Sequence, residues 1–70
     1  MLITDAELEH YRRQARSEFG RVSNVFEPMG YGRMALAWTV ERYLDGKTRR
    51  YYGLTFEEAM QNARDKNEEV

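Results

Sequence analysis

Cysteine is absent from this 70-residue sequence, which excludes a disulfide framework, a thiol nucleophile and a thiolate zinc site. The chain is therefore compatible with a reducing cytoplasm, its expected location. Long apolar runs are missing too. The first twenty residues carry Asp5, Glu7, Glu9, Arg12, Arg13, Arg16 and Glu18, so they cannot form the apolar core of a signal peptide, and no later run is long enough to span a bilayer. No membrane partner is expected. Histidine and proline each occur once, at His10 and Pro28, and an excess of one charge is lacking, since the formal net charge is -1. That near-balance argues against a generic polyanion binder.

A single domain spanning residues 1–70 is expected. A chain this short buries only about 60% of the surface that its unfolded form exposes. Its few large apolar side chains must then share one core, which leaves little room for a deep active-site cavity. The charge is unevenly spread. Residues 1–20 sum to -1, residues 21–54 to +3 and residues 55–70 to -3, so an acidic partner would have to meet the middle segment.

Thr4 and Glu7 have the spacing of a capping box, with Ile3 and Leu8 placed as a hydrophobic staple around it. Leu8, Tyr11, Ala15 and Phe19 then recur at three- and four-residue steps, and Gly20 can supply a left-handed turn at the end. The spacing predicts a helix over 5–19. Val22, Val25 and Phe26 suggest a short strand near 22–27, and Pro28-Met29-Gly30 reads as a turn. Met34, Leu36, Trp38 and Val40 alternate with Ala35, Ala37, Thr39 and Glu41, the period of a half-buried strand, and Asp45-Gly46 is a two-residue hairpin signal. A third strand runs from Thr48 to Gly53.

A two-residue turn pairs Leu44 with Lys47, Arg42 with Arg49, Glu41 with Arg50, Val40 with Tyr51 and Thr39 with Tyr52. This register puts Trp38, Val40 and Tyr51 on the core face, and the Glu41–Arg50 ion pair, Thr39, Tyr43 and Tyr52 on the other. Thr55 and Glu58 form a second capping box before a stripe of Phe56, Ala59, Met60 and Ala63. Asn67 falls on the same stripe, so the helix should lose its packing after about Arg64, and Glu68 and Glu69 at its negative end favour fraying. The expected fold is α+β: α-β-β-β-α, a three-stranded antiparallel meander packed on one face by two helices.

The chemistry-bearing patterns are thin. Glu7-x-x-His10 has the spacing of a carboxylate-histidine ligand pair, but Glu7 belongs to the cap, His10 points away from the core, and no second such pair exists. Gly30-x-Gly32-x-x-Ala35 matches a dinucleotide fingerprint, which needs a strand before it and a helix after it. Here a strand follows, and the glycines are expected to relieve a sharp connection. Ser17 lies roughly 10 Å along the helix from His10, too far for a nucleophile-base pair, and the adjacent Glu57 and Glu58 do not face each other. No catalytic residue, cofactor or metal site is expected, and the chain is read as non-enzymatic.

The hairpin from Arg42 to Tyr52 interleaves cations with rings. Arg42, Tyr43, Lys47, Arg49, Arg50 and Tyr52 are the candidate partner-binding residues, because such a surface can hold phosphate and stack bases or rings. Arg42 opposite Arg49 is a like-charge pair that weakens the ladder unless an anion or acidic partner lies between them. Helix one carries Arg12, Arg13 and Arg16 as a solvated face, with Glu9 spaced to pair with the first two. The apolar segment Phe26, Pro28, Met29, Tyr31 reads either as a protein-docking patch or, slightly preferred, as core folded over the sheet edge.

The order α-β-β-β-α in about 70 residues is similar to that of the double-stranded-RNA-binding domain. That resemblance implies RNA contact through a lysine-rich start to the last helix, where this chain has Thr55-Phe56-Glu57-Glu58-Ala59-Met60, so the likeness is one of topology. The run Gly53 to Ala63 resembles the strand-to-helix corner of small HicB-type antitoxins, without their proline-rich loop. The strand-hairpin-helix ending is similar to AP2-like DNA-binding modules, which implies DNA reading by the sheet, although those sheets are more basic. The preferred function is non-catalytic binding of a protein through the outer sheet face and basic hairpin. By size and its start at Met1, the chain fits an accessory or inhibitor protein of the kind phages and mobile elements encode, for example against a host defence complex. The alternatives are nucleic-acid binding by the hairpin, and a homodimer that pairs edge strands or packs its open sheet face.

Overall fold

The computed structural model describes residues 3–31 and 33–67, with the side chains of Tyr31 and Met34 left aside. Helix α1 spans Asp5–Phe19. Both halves of its capping box form: the Glu7 backbone N–H donates to Thr4 Oγ1 at 3.1 Å, and the Thr4 N–H donates back to Glu7 Oε1 at 3.3 Å. Gly20 ends the helix at φ 109°, ψ 168°. That is not the expected left-handed turn but an extended conformation with positive φ, which glycine alone adopts readily.

Strands β1 (Asn24–Tyr31), β2 (Met34–Leu44) and β3 (Lys47–Gly53) form an antiparallel sheet in that order, and helix α2 covers Phe56–Asp65. The β2–β3 register is the expected one throughout, from Leu44 opposite Lys47 to Thr39 opposite Tyr52. Asp45 (φ 52°) and Gly46 (φ 80°) both take positive φ, the geometry whose twist matches that of the flanking strands. The first strand is longer than expected. Pro28-Met29-Gly30 is no turn; it lies inside β1, where the pairing slips between Phe26 and Met29 and again between Met29 and Tyr31. Pro28 has no N–H for a ladder, and the bulge places it where no ladder partner is required.

Thr55 caps α2 by accepting from the Glu58 N–H at 3.1 Å. The helix ends on Lys66 in the left-handed conformation, after the last stripe residue, Ala63. Glu68 and Glu69, where fraying is expected, lie outside the described residues.

Cross-strand neighbours Val25, Val40 and Tyr51 meet Ala15 of α1 and Phe56, Ala59, Met60 and Ala63 of α2 in one buried cluster. Both helices therefore cover the same sheet face. At one end Tyr11 stacks on Phe56 (4.2 Å between centroids) and Trp38 meets Tyr11 edge-on at 5.2 Å. At the other, Glu18 takes a two-pronged bond from Arg64, through Nε and through Nη2 at 2.8 Å. Contacts 11 to 56 and 18 to 64 run in step, so the helices are parallel to each other.

The Glu18–Arg64 pair gives the fold an acid-side dependence. Arg64's hydrogen bonds hold the Glu18 carboxyl below its ordinary value of 4.5; burial opposes them, and the charges of Arg64 and then Arg42 add smaller lowering effects. A depressed folded-state value means the contribution is fully present above pH 4.5 and is lost as pH falls through the lower folded value. The pair is half-exposed, so its worth is under about 1 kcal/mol. In thermal melts from pH 6 to pH 3, the gap between wild type and Glu18→Gln is expected to close below about pH 4.5. A gap that stays constant would mean the pair does not couple the helices.

Candidate docking face

Strand alternation divides the hairpin candidates between two faces. Successive strand residues point to opposite sides, so Arg42, Lys47 and Arg49 share the helix side with Val40 and Tyr51, while Tyr43, Arg50 and Tyr52 share the outer side with Thr39 and Glu41. The six do not converge on one surface. Arg42 is occupied within the fold: its Nη1 donates to the Ala63 carbonyl at 2.7 Å and its guanidinium sits 4.7 Å over the Phe19 ring. A cation on the last carbonyls of α2 is favourable, and this contact offsets part of the like-charge opposition to Arg49 within the fold. Arg49 is half-buried and lines a recess of about 190 Å³ with Leu44, Asp45, Tyr51 and Lys66; Lys47 is exposed.

At the edge of β3 away from β2, the Tyr52 carbonyl accepts from Asn62 Nδ2 of α2. Residues 52 and 50 thus point their backbone groups away from β2, which makes Thr39–Tyr52 and Glu41–Arg50 the closely approached kind of antiparallel pair. Arg50 Nε accordingly reaches Glu41 Oε2 at 3.1 Å, the ion pair that the register implies. Tyr43 is half-exposed, whereas Tyr52 retains only 4% of its surface and Thr39 only 5%. Little of the Tyr52 ring remains for stacking on a base.

The feature the candidate set missed lies toward β1. Phe26, Thr39 and Tyr52 form one row across the three strands, and Met29 opposite Ala37 forms the next. Phe26, Met29, Thr39, Tyr52 and Arg50 line an open depression of about 280 Å³. Phe26 is half-buried and Met29 is 54% exposed at the rim. Of the two readings of this apolar segment, Phe26 and Met29 belong to a sheet face that carries no helix; the Tyr31 side chain lies outside the described ones.

Of the α1 arginines, Arg13 is exposed as expected, while Arg12 and Arg16 are tied back to the chain. Arg12 Nε donates to the Val25 carbonyl at 3.0 Å and Arg16 Nε to the Ser23 carbonyl at 3.3 Å, while Glu9 approaches Arg16 at 3.8 Å, two turns away. Ser23 is buried and gives its hydroxyl to the Glu41 carbonyl, a structural bond across strands. His10 is exposed on α1, with its ring 5.9 Å from that of Tyr11. Gly30 lies within β1, and Gly32 is outside the described residues. Among the described residues no three His, Asp or Glu side chains group closely enough to hold a metal ion, and no helix is long and apolar enough to cross a membrane. Compared with known family models, curated proteins and solved structures, the chain has no match.

Proposed function

We propose that this chain is a non-catalytic protein-binding module of the accessory or inhibitor kind, and that it docks its partner on the outer sheet face. The observation that carries this reading is the apolar depression of Phe26, Met29, Thr39 and Tyr52 with Arg50 at its edge. Its volume of about 280 Å³ falls just below the range of small-molecule pockets. A space of that size suits one or two inserted side chains, and apolar anchors in such pockets dominate binding between proteins. Met29 at the rim and the half-exposed Tyr43 extend the same face.

Nucleic-acid binding by the hairpin gains less support from the geometry. Phosphate contacts need converging cations, and here Arg42 is engaged with α2 while Lys47 and Arg49 lie across the sheet from Arg50.

The test is capture from host lysate with nuclease-treated controls, using variants at exposed positions. Met29→Glu is expected to weaken protein capture by at least about tenfold, the size of a modest anchor, with an unchanged melting temperature, whereas Lys47→Glu leaves capture intact. Capture that disappears with nuclease and with Lys47→Glu would replace this reading with the nucleic-acid one.

A further inference from the structure

The start of the β1 edge is closed from within the chain, by three side-chain bonds and one backbone bond. At Val25 the N–H donates to Asn24 Oδ1 at 3.0 Å and the carbonyl accepts from Arg12 Nε at 3.0 Å. At Ser23 the N–H donates to the Gly20 carbonyl at 3.0 Å and the carbonyl accepts from Arg16 Nε at 3.3 Å. These four groups are the ones an incoming strand would need, because a strand at the rim of a sheet otherwise presents a row of unpaired donors and acceptors. Two of the four bonds come from α1, a separate element that packs on the sheet. Downstream, the bulges at 26–31 break the regular edge.

We propose that Arg12 and Arg16 form an autoinhibitory latch over the β1 edge, and that the partner this edge fits is β1 of a second copy of the chain. Two identical edges pair antiparallel about a two-fold axis. Centred on Val25, such a pairing sets Glu27 against Ser23 and Asn24 against Phe26, so no like charges are opposed. With the latch in place, the outward groups of Ser23 and Val25 are already bonded, and strand addition must first break those bonds. The latch stands independently of the outer-face reading.

The test replaces the donors while keeping apolar stems of similar length, in Arg12→Met, Arg16→Met and the double variant, with mass followed by sedimentation against concentration. Wild type is expected to stay monomeric to about 1 mM, and the double variant to dimerise at least about tenfold more tightly than that limit, with the Val25 and Ser23 amides gaining exchange protection as dimer forms. Each single variant keeps one latch bond and should fall between. A folded double variant that remains monomeric overturns the latch. If the double variant does not fold, the singles decide: a folded, monomeric Arg12→Met overturns it and a dimeric one supports it. A wild-type dimer joined through β1 overturns it as well.

Discussion

Gly53→Ala is expected to lower the melting temperature by about 15 °C or more, at roughly 4–8 °C per kcal/mol for a domain of this size. Gly53 is the last residue of β3, buried and opposite Trp38. A methyl group there would sit 2.8 Å from the Glu58 carbonyl carbon and Cβ, and closer still to the Ala59 nitrogen. Those atoms are mostly helix backbone and cannot rotate aside, so relief requires the first turn of α2 to move off the sheet. That movement disturbs Phe56, Ala59 and Met60 together, all of them core residues. Overpacking of this kind costs about 3 kcal/mol, against a total of roughly 4–10 kcal/mol for a domain of this length. Thermal unfolding by circular dichroism reads the result. An unchanged midpoint would mean that α2 does not press against the end of β3.

Phe56→Ala should have an effect as large by the opposite route. The ring is 6% exposed, stacks on Tyr11 and meets Trp38 edge-on at 6.0 Å. These rings join the N-terminal half of α1, β2 and the start of α2, so removing the middle one empties the junction of all three. Truncating a buried phenylalanine costs about 3–5 kcal/mol, roughly a third or more of the total stability, and should lower the midpoint by about 15 °C or more. Phe56→Leu should recover a substantial part, since it refills much of the volume without the aromatic contacts. Tyr43→Ala, at an exposed ring on the hairpin, should stay within about 0.5 kcal/mol of wild type. If Phe56→Ala melted like Tyr43→Ala, the aromatic junction would not be the centre of the fold.

How much of this was legible before the structure follows from which signals are local. A capping box, an apolar stripe and an Asp-Gly turn each act within a few residues, so α1, the β2–β3 hairpin with its register, and the start of α2 could be read directly. β1 could not. Its strand contains Pro28 and Gly30, both turn residues by composition, and only pairing with β2 across two register slips shows that the chain stays extended. The side-chain bonds of Arg12, Arg16, Arg42 and Asn62 join residues seven to twenty-one positions apart, and no short-range pattern announces them. The candidate site was half legible for a similar reason. Interleaved cations and rings marked the hairpin, and the two-residue period already implied that they point both ways. Phe26 and Met29 join the outer face only through the irregular β1 register.

The proposed docking face is tested most directly by nuclear magnetic resonance of the isotope-labelled protein, titrated with the partner that it captures. The reading predicts shifts concentrated at Phe26, Met29, Thr39, Tyr43 and Tyr52, with Lys47, Arg49 and Lys66 unmoved. Shifts confined to Lys47, Arg49 and Lys66, with the outer face silent, would contradict it and place the working surface on the helix side of the hairpin.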